Sequence, residues 1–127
     1  MQYGYKKQTK LAFADAVGKV RTELSKEGFG IITEINVKET FKKKLNVDFG
    51  EYIILGACHP TTAHKVLELE KDMGLLLPCN VVVYQEDKNV YISVILPTVA
   101  MGMVENANLV PIAREVEEKL KKVIDAV

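Results

Sequence analysis

Two apolar runs, Asn80 to Gln85 and Val90 to Leu96, stand on either side of Glu86-Asp87-Lys88-Asn89. Strand-forming Val and Tyr residues flanking a polar turn cluster predict a β-hairpin, so any fold for this chain must contain an antiparallel pair. Glu51 to Cys58 is almost wholly apolar around Tyr52-Ile53-Ile54-Leu55. A strand of that kind is covered on both faces and belongs in the interior of a sheet. Phe29, Ile31, Thr33, Ile35 and Val37 recur with a period of two, which predicts a half-buried strand showing those five residues on one face. Gln2 to Gln8, with Tyr3 and Tyr5 alternating against polar neighbours, predicts a first strand.

Between these runs the period changes. Phe13, Val17, Val20 and Leu24 fall on one stripe of a helix, with Gly28 placed to end it in a left-handed cap. Lys38 to Asn46 is polar, with Phe41 and Leu45 four apart, enough for a short helix resting on the domain. Pro60 suits the first position of a helix running to about Met73, with Ala63, Val66, Leu67 and Glu70 on one side and Gly74 at its end. Pro97 closes the last strand, and Thr98 to Val104 predicts a short helical turn with Met101 and Met103 exposed. Asn108 can cap a final helix whose Ile112, Val116, Leu120, Val123 and Val127 form a long apolar stripe. The order β-α-β-β-α-β-β-α lacks regular βαβ alternation. It predicts an α+β fold: a mainly antiparallel curved sheet of about five strands with helices packed on one face.

Composition narrows the classes of function. A chain of 127 residues, 48% hydrophobic and 27% charged, fits one domain over residues 1–127 able to bury a core without metal or disulfide staples. Seventeen basic residues balance seventeen acidic ones, so no overall field draws the chain to nucleic acid or an anionic membrane. The Lys42-Lys43-Lys44 run lacks interleaved aromatics and reads as a solvated face. Met1 to Lys7 has no signal-peptide apolar stretch, and no segment approaches the roughly 20 apolar residues of a membrane span. The expectation is a cytoplasmic protein with no nucleic-acid or membrane partner, its two cysteines reduced.

Distinctive chemistry gathers in Cys58-His59-Pro60 and Pro78-Cys79-Asn80. Cys58 ends one buried strand and Cys79 opens another, and a helix running out and back between them could return the two sulfurs to one place. Three readings stay open. Cys58, His59 and Cys79 could hold a soft metal such as zinc. Cys79 could be a reactive sulfur with Cys58 as its resolving partner. Both could be small buried apolar residues, with His59 capping the following helix. His64, beside Lys65, Glu68 and Lys71, reads as a surface residue, and Glu68, Glu70 and Asp72 diverge around their helix. Tyr52, Tyr84 and Tyr91 predict an aromatic ladder suited to core or dimer contact rather than to ligand stacking. Gly28-Phe29-Gly30 lacks the spacing of a dinucleotide loop, and no serine triad or phosphate-cradling loop is present.

Leu55-Gly56-Ala57-Cys58-His59-Pro60, followed by Gly74-Leu75-Leu76-Leu77-Pro78-Cys79-Asn80-Val81-Val82-Val83-Tyr84, resembles the domain-of-unknown-function 302 family over nearly the whole chain. The family more often carries Asn where this chain has His59. The resemblance implies a TATA-binding-protein-like α+β fold and a homodimer, and it implies no activity and no cofactor. Fold likeness to a DNA-binding protein carries no function with it. The expected function is a homodimeric small-ligand-binding protein with an apolar pocket near Cys58, His59, Cys79 and Asn80. A thiol-dependent redox sensor or enzyme, or a metal-binding protein using Cys58, His59 and Cys79, is the alternative.

Overall fold

The computed structural model describes residues 2–127. Five strands form one open antiparallel sheet: β1 (Gly4–Thr9), β2 (Gly30–Asn36), β3 (Tyr52–Cys58), β4 (Cys79–Glu86) and β5 (Asn89–Ile95), in spatial order β1-β5-β4-β3-β2. The hairpin expected from the sequence joins β4 to β5, with Glu86 opposite Asn89 and Asp87 in the left-handed region at φ 56°. β3 and β4 lie inside the sheet, as their continuous apolar runs require.

Helices α1 (Phe13–Lys26) and α5 (Leu109–Ala126) pack on one face of the sheet. Leu24 and Val20 of α1 and Leu120, Val123 and Ile124 of α5 meet Leu55, Val81, Val83 and Ile92, all essentially inaccessible to water. Burial of each such side chain contributes roughly 1.5–3 kcal/mol before entropy is counted. The α1 stripe also buries Glu23, whose carboxylate receives Lys26 at 2.9 Å and Lys19 at 3.3 Å. Gly28, at φ 85°, ends α1 as expected: Phe29 N–H donates to the Leu24 carbonyl and Gly28 N–H to that of Ser25.

The short helix α2 (Val37–Leu45) links β2 to β3, capped by the Asn36 side chain at its start and by left-handed Asn46 at its end. Helix α3 (Pro60–Leu69) begins with Pro60 in its first turn, but it stops before Met73. Glu70 is extended, and a 3-10 segment, Lys71–Leu76, follows. That change of pitch drives Met73 into a second apolar cluster with Val66, Met101, Leu109 and Ala113. Gly74 therefore does not end the helix.

Three further expectations are corrected. The period-two face of β2 breaks at a bulge between Ile31 and Thr33. Ile31 pairs with Ala57 on the helix-covered face, whereas Thr33 and Ile35 pair with Gly56 and Ile54 on the opposite, open face. Glu34 consequently turns toward α1, where Arg21 meets it at 2.8 Å. Of the two methionines in the turn after α4 (Pro97–Ala100), Met101 is buried and Met103 is exposed. Asn108 makes no side-chain cap for α5; the Asn106 side chain instead accepts the Asn108 N–H at 3.0 Å. Among the described residues no helix is long and apolar enough to cross a membrane.

Candidate functional site

The two cysteine blocks meet because β3 and β4 are neighbours. Ala57 pairs with Cys79 across them, so Cys58 at the end of β3 and Cys79 at the start of β4 sit beside each other. The intervening α3 and 3-10 segment leave the sheet and return to the same end of it. They border an apolar, partly open cavity of about 260 Å³. Phe29, Ala63, Val66, Met101 and Val116 supply its walls, and Cys58, Cys79, His59 and Thr62 are its polar side chains.

Both cysteines are free thiols. Cys79 shares the helix-covered face with Ala57 and is 7% exposed. Burial, with the Cys58 sulfur beside it, pushes its pKa from 9.0 up to about 11. It is thus a neutral thiol at pH 7, which argues against the expected role of attacking sulfur. Cys58, half-buried, is the more accessible of the pair. Near it stands Ile32, the extra residue of the bulge, 62% exposed at the cavity's rim.

His59 occupies the position before α3, yet its ring gives no cap to the helix. The imidazole is fixed sideways. Its Nδ1 lies 3.0 Å from Thr62 Oγ1, and its ring meets the Phe29 ring edge-on at 5.4 Å between centroids. A Cβ on Gly28 would approach Nε2 to 2.9 Å. Gly28 therefore serves twice: its positive φ ends α1, and its missing side chain admits the imidazole.

Asn80 does not join this group. Adjacent residues on a strand point to opposite faces, so Asn80 emerges on the open side of the sheet opposite Gly56. It is exposed there, along a groove shared with Lys6, Tyr52 and Tyr84. The metal reading of Cys58, His59 and Cys79 also lacks its geometry: among the described residues no three His, Cys, Asp or Glu side chains gather as a metal site. His64 lies at the surface, 3.5 Å from Glu68.

The open face carries the expected tyrosine ladder. Tyr52 stacks on Tyr84 and Tyr84 on Tyr91, each pair with centroids 5.4 Å apart. Lys6 covers the Tyr91 end, its Nζ 4.6 Å from that ring, and Phe49 and then Phe41 extend the row beyond Tyr52. The ladder lies outside the helix-covered core, half-buried on the face opposite α1 and α5. Gly56 belongs to this side too: a Cβ there would collide with Thr33 Oγ1 and come within 2.7 Å of Pro78 Cγ.

Sequence reasoning missed Phe29, Ile32, Met101 and Val116 as cavity residues, since they come from the residue before β2, from β2 itself, from the turn after α4, and from α5. Only the side of Asn80 was open to deduction, from its adjacency to Cys79.

No curated protein matches this chain. The crystal structure of an uncharacterized conserved protein DUF302 from Bacillus stearothermophilus superposes with a TM-score of 0.92 at 30% sequence identity. That likeness covers 99% of this chain and 98% of the other. The family model described as "Domain of unknown function DUF302" matches residues 5–127. A match running through every strand and helix, with both cysteine blocks inside it, makes the chain a member of the DUF302 family.

Proposed function

We propose that this chain is a homodimeric small-ligand-binding protein of the cytoplasm, taking an apolar molecule into the cavity between the two cysteine blocks. The observation that carries the reading is the cavity itself: about 260 Å³ of apolar space reached beside Cys58. A dry cavity of about 150 Å³ holds benzene, so this one suits a substituted ring or a chain of about eight carbons. The paired His59 and Thr62 offer one polar edge for orientation. The tyrosine ladder on the uncovered sheet face supports the dimer, and two free thiols suit a reducing compartment. A single antiparallel sheet backed by helices is the basis for proposing a TATA-binding-protein-like fold as well.

Ethyl pentyl ketone, a saturated apolar probe, tests the pocket. Binding followed by NMR should shift resonances of Phe29, Ala63 and Met101, and Ala63→Phe, which fills the space, should weaken it at least about tenfold while the variant stays folded. Saturable binding that Ala63→Phe leaves untouched, or no binding at millimolar ketone, would sink the reading.

A further inference from the structure

The two thiols of the cavity are not equivalent. Cys79 is a nearly fully buried free thiol turned into apolar space, while Cys58 stands half-buried at the rim next to exposed Ile32. Cys58 and Ile32 line the cavity together with Phe29, Val66 and Met101, so a molecule whose apolar tail lies between those walls is within reach of Cys58. The rim thus places a nucleophilic atom near whatever functional group such a tail carries. His59 is held by Thr62 and Phe29, so its ring is a fixed wall of this rim.

We propose that Cys58 captures small apolar carbon electrophiles covalently, the ligand class being α,β-unsaturated ketones with an alkyl tail that fills the cavity. This inference rests on the ligand-binding reading above and gives it a chemical class. In the step, the Cys58 sulfur pair forms a bond to the β-carbon, and the π pair of the C=C bond moves onto the carbonyl oxygen as an enolate. The proton lost by sulfur finishes on the α-carbon. Nothing is oxidised or reduced overall and no group leaves, so thiol and ligand suffice. The apolar tail raises the local concentration of the alkene at the sulfur, which is the source of selectivity. Cys79 is spared because it lies deeper and its thiol stays protonated, its pKa pushed up to about 11.

The experiment treats the purified full chain with pentyl vinyl ketone or methyl vinyl ketone, which share one reactive group and differ in the tail. Intact mass and peptide mapping follow the adduct, and each rate is divided by that reagent's rate with glutathione. The expected result is one adduct, at Cys58, with the pentyl reagent favoured at least about tenfold. Saturated ethyl pentyl ketone should slow it by competition. Cys79→Ala should keep the adduct and Cys58→Ser should lose it. Equal normalised rates for the two reagents, or adducts spread over other residues, overturn the inference. If ethyl pentyl ketone binds while pentyl vinyl ketone leaves Cys58 unmodified, the covalent step fails and the pocket stands. If neither ketone binds and the normalised rates are equal, both fall.

Discussion

Cys79 shows how one atom's surroundings tie pH to stability. Its folded pKa is raised, to about 11, because burial penalises the thiolate and the Cys58 sulfur lies beside it. Below pH 9 both folded and unfolded chains keep the proton. Between about pH 9 and 11 the unfolded chain gives its proton up and the folded chain does not, so the unfolded state binds fewer protons and stability falls as pH rises. The loss should approach roughly 1.4 kcal/mol per pH unit inside that window. Urea titrations of the wild type and Cys79→Ala at several alkaline pH values will read it: the wild type should lose stability more steeply than the variant. Parallel curves would show that this thiol titrates alike in both states. The neighbouring His59 depends on an absence instead, the missing side chain of Gly28. The sequence identified that glycine as a helix stop, because the α1 stripe ends just before it. The imidazole packed against it belongs to a residue 31 positions later, and no local pattern links the two.

At the level of elements, strands and helices were legible wherever one period ran unbroken. The β4–β5 hairpin, β3, and the stripes of α1 and α5 follow from residues that repeat without interruption. Errors fell where the backbone changes its period. The bulge in β2 moves Ile35 to the open face although the spacing from Phe29 to Val37 is regular, and the extended Glu70 splits one expected helix into α3 and a 3-10 segment. Register makes the bulge testable. Deleting Ile32 would give β2 a continuous ladder in which Ile31 still faces Ala57 and Thr33 still faces Gly56, so every other residue of the strand keeps its side of the sheet. Phe29 is buried against the core, and removing it from there should cost about 3 kcal/mol or more. Because the deletion leaves Phe29 in place, the expected outcome is a variant whose urea midpoint stays close to the wild type; a much lower midpoint would mean that the bulge itself holds Phe29 in the core.

For the whole molecule, the two sides of the sheet divide the labour. One side, under α1 and α5, contains the core, and the cavity opens at its end. The other is spanned by the tyrosine ladder and forms the dimer surface of the proposed assembly. Tyr84 sits at the ladder's centre, so Tyr84→Glu should set like charges against each other in a symmetric pair and shift sedimentation to the monomer, with the circular dichroism spectrum unchanged. A wild-type protein that sediments as a monomer at every concentration would remove the dimer. The candidate site was half legible in sequence: Cys58, His59 and Cys79 line one cavity, but Asn80 lies through the sheet from it. That partition has a practical use. A fluorine tag on residue 79 and a spin label on residue 80 would be one peptide bond apart in the chain, yet would report on opposite compartments. The first would sense a guest arriving in the interior, and the second a neighbour settling on the outside. A single short stretch of polypeptide could thus separate occupancy from association in one sample.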